Sequence, residues 1–394
     1  MRILFVAFPH SVHTARWINQ ITDQGWDVHL APSIPAPLYS DLKGKVTFHG
    51  STHPRQAPTK RRFVTLLKWW PHHRGSGYVR RLLEHLDRHT TEQGLDRIVH
   101  KIKPDIVHSM EIQQAGYLTF ETRKRMGNNF PTWVVSNWGS DVYLFGRLAA
   151  HRERVKQVLA LCDYYACECE RDVALAKQFG LKGQVLPVLP CGGGFELEKL
   201  KQFRQPGPPS TRRIVLIKGY QNWAGRALVA LQAIEMCADL LQGYRVLIQL
   251  ASPEVEIAAE LVSQSTGIPI EIAPAGEYEN AMRRFGSARI HVGLSISDGI
   301  SQSLIESMVM GAFPIQSCTA CANEWIENGK SGFLVPPEDP YRVAEALRCA
   351  LTDDHLVDQA AILNAETAQQ RLAYAHVKGK VVEMYKSIFA ASVQ

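Results

Sequence analysis

The sequence has no apolar run approaching the roughly 20 residues that cross a bilayer as a helix, so no spanning helix is expected. Its 8 cysteines over 394 residues are too sparse for a disulfide framework. Cys318-Thr319-Ala320-Cys321 has no second pair at zinc-finger distance, so no structural metal is expected. Cys162, Cys167, Cys169 and Cys191 sit in or beside apolar runs, where buried free thiols are common, and a reducing cytoplasm is the default compartment. The run Ile3-Leu4-Phe5-Val6-Ala7 is followed by Phe8-Pro9-His10-Ser11-Val12-His13, without a glycine fingerprint, which excludes a Rossmann dehydrogenase. The same opening lacks a small-residue cleavage site and reads as a buried strand rather than a signal peptide. Acid is scarce from Arg55 to Arg88, where only Glu84 and Asp87 oppose Lys60, Arg61, Arg62, Lys68, Arg74, Arg80 and Arg81. Phe63, Trp69, Trp70 and Tyr78 interleave with these cations. That mixture suits an anionic membrane surface or anionic substrate, and a solvated basic loop and helix fits it equally. No nucleic-acid module accompanies it, so no nucleic-acid partner is expected.

Hydrophobic residues make up 45% and charged residues 21%, and the net charge is +6, as in an ordinary soluble globular chain. The length predicts two domains. Strand-like runs at Ile3–Ala7, Val28–Ala31, Asp105–Ser109, Thr132–Ser136, Tyr164–Cys167 and Val185–Val188 alternate with helical patterns. One helix is predicted from Ala15, stopping near Gly25, and another over Tyr78–Lys101. A polar, proline-rich break follows at Phe203–Arg213. Alternation restarts with Ile214–Lys218, a helix from about Ala224 to Leu241, and strands at Tyr244–Leu250, Ile268–Ile272, Arg289–Leu294 and Phe313–Gln316. This is the pattern of α/β structure with two Rossmann-like, doubly wound parallel sheets.

Ligands of such sheets lie beyond the carboxyl ends of the strands. The turns there are Pro9–Thr14, His108–Gln114, Asn137–Asp141, Lys218–Arg226 and Ser295–Ser303. The last is the most informative. Gly299, Ser301 and Ser303 allow several backbone N–H groups to converge, and the helix that follows adds its positive end, which suits a phosphate or diphosphate. Asp298 and Glu306 bracket this turn and can hold hydroxyls of whatever carries the phosphate. A surface turn opening a capped helix has the same composition.

The run Asp298-Gly299-Ile300-Ser301-Gln302-Ser303-Leu304-Ile305-Glu306, followed by Ser307-Met308-Val309-Met310-Gly311, resembles the paired-glutamate motif of the retaining "glycosyl transferases group 1". Glu324-Trp325-Ile326-Glu327-Asn328-Gly329-Lys330-Ser331-Gly332-Phe333-Leu334-Val335 resembles that family's downstream element, and Val188–Phe195 its run-in to the linker. The resemblance is best from about 290 to 350. It implies a GT-B fold, with two domains facing each other across a cleft. Residues 1–203 would bind the acceptor, 204–213 link, and 214–375 bind the nucleotide sugar, with the helix in 376–394 packing back on the first domain. Glu306 would hold the ribose, and the backbone from Gly299 through Ile300, Ser301, Gln302, Ser303 and Leu304 the diphosphate. Asp298 would stand near the donor sugar, one methylene shorter than the usual glutamate. Lys218 and Arg226 would neutralise the leaving diphosphate. Asn137-Trp138-Gly139-Ser140-Asp141 places Trp138 where relatives carry histidine. Trp138, Asp141, His13 and Glu111 are the candidates for acceptor or sugar.

The implied activity is retaining, hexosyl-type transfer from a nucleoside diphosphate sugar to a hydroxyl of a glycan or lipid-linked acceptor, as in lipopolysaccharide, O-antigen or capsule assembly. The sugar nucleotide is a substrate, and no cofactor or metal is implied, in line with the lack of a DxD-type ligand pair. The substituted Asp298 and Trp138 also fit a catalytically silent sugar-nucleotide-binding subunit, which a turnover assay on a panel of nucleotide sugars separates. The location implied is cytoplasmic, with docking on the inner membrane face through residues 55–88. The chain is then expected to co-sediment with anionic vesicles at low salt and to leave them as salt rises. An absence of binding at low salt removes this docking.

Overall fold

The computed structural model describes residues 1–50, 94–274 and 276–393. The basic stretch from Arg55 to Arg88 and most of the helix expected over Tyr78–Lys101 lie outside them, and residues 94–102 are helical. The chain forms two compact units. One comprises residues 1–167, 173–193 and 378–394, the other residues 168–172 and 194–377.

The first unit holds a seven-stranded sheet of β1 (Arg2–Ala7), β2 (Asp27–Pro32), β3 (Val46–Phe48), β4 (Ile106–Met110), β5 (Thr132–Ser136), β6 (Tyr164–Ala166) and β7 (Gln184–Val185). The order is β3-β2-β1-β4-β5-β6-β7, and the pairings are parallel. β1 and β4 are buried almost throughout, which explains their apolar sequences. β7 ends at Val185, short of the expected Val188, and Pro187 has no N–H to extend the ladder. The first helix, Val12–Asn19, starts three residues before the expected Ala15, because Ser11 Oγ accepts the His13 amide at 3.2 Å and caps it.

The second unit holds β8 (Ile214–Lys218), β9 (Arg245–Gln249), β10 (Ile270–Ala273), β11 (Ile290–Gly293), β12 (Phe313–Ser317) and β13 (Phe333–Val335). Their order is β10-β9-β8-β11-β12-β13, again parallel. Side chains of β8 alternate between two cores. Val215 and Ile217 pack with Ile248, Val292 and Ile315, while Ile214 and Leu216 pack with Phe285, Leu304 and Met308. Helix Ala227–Met236 is shorter at both ends than the Ala224–Leu241 reading. Gly225 bridges Ser295 and Arg226 bridges Gln221, which keeps that segment extended. A Cβ on Gly225 would lie 2.2 Å from the Tyr220 carbonyl oxygen, so the turn requires glycine. In each sheet the strand order reverses direction once, between β1 and β4 and between β8 and β11. These are the crevice positions of doubly wound sheets.

Among the described residues no helix is long and apolar enough to cross a membrane. A buried chain of polar contacts ties helix Tyr374–Val393 into the first unit. Trp17 Nε1 donates to Tyr385 Oη at 2.8 Å. Tyr385 Oη lies 2.6 Å from His108 Nδ1, and His108 Nε2 lies 2.7 Å from Ser136 Oγ. Burial pushes the His108 pKa down to about 3, so the ring is neutral and both nitrogens serve hydrogen bonds. Replacing Tyr385→Phe removes the partner of the buried Trp17 Nε1 and His108 Nδ1 atoms. It should lower unfolding stability by about 1–3 kcal/mol, read from urea denaturation.

Candidate functional site

In the second unit, parallel pairing of β8 with β11 sets Lys218, the last residue of β8, beside the turn that leaves β11. Lys218 Nζ lies 3.5 Å from Asp298 Oδ2 and donates to Ser301 Oγ at 3.3 Å. Ser301 Oγ in turn lies 3.0 Å from Ser303 Oγ. Helix Gln302–Met310 starts here. Ser301 is its N-cap residue, yet no side chain caps the helix, because the hydroxyl is turned toward Lys218 and Ser303. The start is buried: Ile300, Ser301, Ser303 and Leu304 are each under a tenth exposed. Gly311 closes the helix in the left-handed region at φ 80°, as its position after the apolar run implies. Glu306 is 9% exposed, and its Oε1 accepts from Gln302 Nε2 at 3.2 Å. Gly299 N–H donates to the Asp298 carboxylate at 3.0 Å. One cation, two hydroxyls and an uncapped helix end on a dry floor can bind an anion.

Arg226 has other partners. Its Nε donates to Glu338 Oε1 at 2.9 Å and its Nη1 to the Gly225 carbonyl at 2.9 Å. The cation placed against Asp298 is Lys218.

Two further side chains hold this turn, and the sequence reading missed them. Arg171 Nη2 donates to the Asp298 carbonyl at 2.8 Å and Nη1 to the Thr319 carbonyl at 2.9 Å. Glu168 Oε2 accepts from the Ile300 amide at 3.4 Å. Both lie in the short segment 168–172 that belongs to the second unit. Its charged run beside apolar β6 was visible in the sequence, but no local spacing connects it to a turn 127 residues later.

In the first unit, the four candidates lie beyond the carboxyl ends of β1, β4 and β5. Glu111 takes up φ 83° and ψ 158°, a strained conformation for a residue with a side chain. Its carboxylate accepts from the Gln114 amide at 2.7 Å and from the Ala115 amide. Asp141 Oδ2 accepts from the amides of Ile112 at 3.1 Å and Trp138 at 2.9 Å. The Trp138 ring lies 5.6 Å from that of His13 and 6.0 Å from Phe8. Glu111 and Asp141 are only 4% and 5% exposed. Burial, reinforced by the Asp141 charge, pushes the Glu111 carboxyl up to about 8 against the opposing pull of the amides.

A carboxyl raised from 4.5 to about 8 stabilises the fold while protonated. Its contribution is complete below the lower value and fades as pH rises through the upper one. Wild-type melting temperature should therefore fall from roughly pH 5 to pH 8.5 more steeply than that of Glu111→Gln. Equal slopes in a thermal scan across that window would count against a protonated Glu111.

Residues 224–353 match the family "Glycosyl transferases group 1", and residues 2–67 and 89–167 match "Glycosyl transferase 4-like". A search of curated proteins finds no match to the sequence. Sucrose-phosphate synthase from Thermosynechococcus elongatus shares the fold with a TM-score of 0.69 at 16% identity, over 99% of this chain and 100% of its own. HepE of Anabaena, solved with UDP-glucose, gives 0.68 at 11% identity, over 98% and 100%. A glycosyltransferase from Rickettsia africae gives 0.64 at 15% identity, over 98% of both chains. The two family matches fall in turn on the carboxyl-terminal and amino-terminal sheets, and the likeness to these structures runs the length of the chain: it belongs to the group 1 glycosyltransferases and has the GT-B fold.

Proposed function

We propose that the protein transfers a hexosyl unit, with retention of configuration, from a nucleoside diphosphate sugar to a hydroxyl of a glycan or lipid-linked acceptor. The observation that carries this reading is the buried, uncapped start of helix Gln302–Met310 with the Lys218 ammonium beside it. In the proposed complex the diphosphate sits on the backbone of residues 299–304, and Lys218 meets the charge that builds on the leaving phosphate. The leaving oxygen takes the acceptor's proton, so the reading asks for no protein nucleophile and no further cofactor. Glu306 turns from Gln302 to the ribose hydroxyls. Asp298, fixed by Lys218 and by the Gly299 amide, faces the donor sugar. Glu111, Asp141, Trp138 and His13 contribute the acceptor half, and Arg226 a more distant positive charge.

HepE of Anabaena has been solved with UDP, with UDP and glucose, and with UDP-glucose, so uridine nucleotides are the first probes. UDP and UDP-glucose should bind in calorimetric titration more tightly than GDP or TDP counterparts. Lys218→Ala should weaken UDP binding by about tenfold or more, roughly 1.4 kcal/mol. Arg226→Ala should weaken it less. A Lys218→Ala protein that is folded and binds every nucleotide as wild type does would overturn this placement of the diphosphate. The anomeric configuration of the product, read by NMR, tests retention.

A further inference from the structure

The second unit contains a pair of sulfurs that the glycosyl-transfer reading does not use. Cys169 Sγ and Cys321 Sγ lie 2.6 Å apart, and the two residues are 0% and 2% exposed. Asp172, also fully buried, places a carboxylate oxygen within 4.8 Å of both. Such a trio fits either a metal ion or a sulfur–sulfur bond, and the distance decides between them. Two thiolates on a tetrahedral zinc at about 2.3 Å stand roughly 3.8 Å apart. The observed pair would have to separate by more than an ångström to admit the ion, but needs to close by only about half an ångström to reach a bond of about 2.05 Å. Asp172 is also engaged already, its Oδ1 accepting from Arg171 Nε at 2.8 Å.

The surroundings give the pair a consequence. Cys169 lies between Glu168, which holds the Ile300 amide, and Arg171, which holds the Asp298 and Thr319 carbonyls. Cys321 lies between Thr319 and Glu324, and the Glu324 carboxylate accepts from the amides of Glu170 at 2.9 Å and Arg171 at 3.1 Å. A bond between the sulfurs would add a covalent tie at the centre of these hydrogen bonds.

We propose that Cys169 and Cys321 form a reversible dithiol–disulfide site that pins residues 168–172 to the turns carrying Asp298 and Thr319. The electron acceptor is a low-molecular-weight disulfide of the glutathione class. One thiolate of the pair attacks it, forming a mixed disulfide and expelling a small thiolate. The second thiolate attacks the protein-borne sulfur and expels the other. Two protein thiols are oxidised, one small disulfide is reduced, and both protons end on the released small thiols. The hydrogen bond with Cys321, together with burial, pushes the Cys169 thiol well up, so the dithiol exchanges slowly. Cys318, exposed and three residues before Cys321, offers an accessible thiol for comparison.

The test uses the full chain in glutathione buffers from fully reduced to fully oxidised. One portion is kept native and one is refolded from denaturant in the same buffers, which removes the access barrier. After alkylation and proteolysis, mass spectrometry should find one cross-linked peptide joining Cys169 to Cys321. It should titrate as a two-thiol couple, disappear with dithiothreitol, persist in Cys318→Ser and vanish in Cys169→Ser and Cys321→Ser. Hydrogen exchange at residues 298–301 should slow by about tenfold in the oxidised protein and not in oxidised Cys169→Ser. Alkylation of both cysteines in both portions, pairing of Cys321 with Cys318 in the wild type, or a stoichiometric zinc in elemental analysis would each overturn the site. A cross-link without slower exchange would overturn the pinning.

Discussion

Parallel pairing of β8 with β11 is the constraint on which the turn from Asp298 to Ser303 depends. Val215, Leu216 and Ile217 run level with Ile290, His291 and Val292, so the carboxyl end of β8 meets the beginning of the turn after β11. Both strands are buried on two faces, and a slip of one residue would turn Val215 and Ile217 into the wrong core. Register is therefore set by packing far from solvent, and the position of the Lys218 ammonium follows from it. The hydroxyl of Ser301, which elsewhere would cap its own helix, is drawn toward that ammonium and toward Ser303. The uncapped helix end is thus a product of the strand register as much as of local sequence.

The first unit solves a different problem at the same place in its sheet. Two carboxylates are buried within one loop cluster, and backbone amides hold them: Gln114 and Ala115 for Glu111, Ile112 and Trp138 for Asp141. Amides lower a carboxyl's proton affinity, while burial and the neighbouring charge raise it, and at Glu111 the latter win. Strain at φ 83° accompanies this arrangement. Strain of that kind persists where surrounding contacts over-determine the backbone, and it concentrates at functional sites.

The two parallel sheets were legible because strands buried on both faces write themselves as apolar runs. The strand, turn, helix and stop from Ile290 to Gly311 were legible because every signal lies within a few turns of chain. Ends of elements were less so. Ser11 pulled the first helix forward by a cap, and the bridges at Gly225 and Arg226 delayed Ala227–Met236. Lys218 and Arg226 are cations of one loop, the motif spacing favoured Arg226, and only the fold shows that Lys218 meets Asp298 while Arg226 meets Glu338. The contributions of Glu168 and Arg171 were not legible at all. Their partners stand more than a hundred residues away, and a lone sequence carries no record of such pairings.

The buried chain from Trp17 through Tyr385 to His108 and Ser136 bears on how the protein is made. Domains generally fold as they leave the ribosome, the amino-terminal one first. Here that order is interrupted. All seven strands of the first sheet emerge before residue 186, yet Tyr385 follows only after the whole second unit has been synthesised. Until then the Trp17 indole and the His108 ring lack the hydroxyl that joins them. The amino-terminal unit, first to appear, is therefore the last to be completed, and its nascent form depends on whatever shields that surface during the wait.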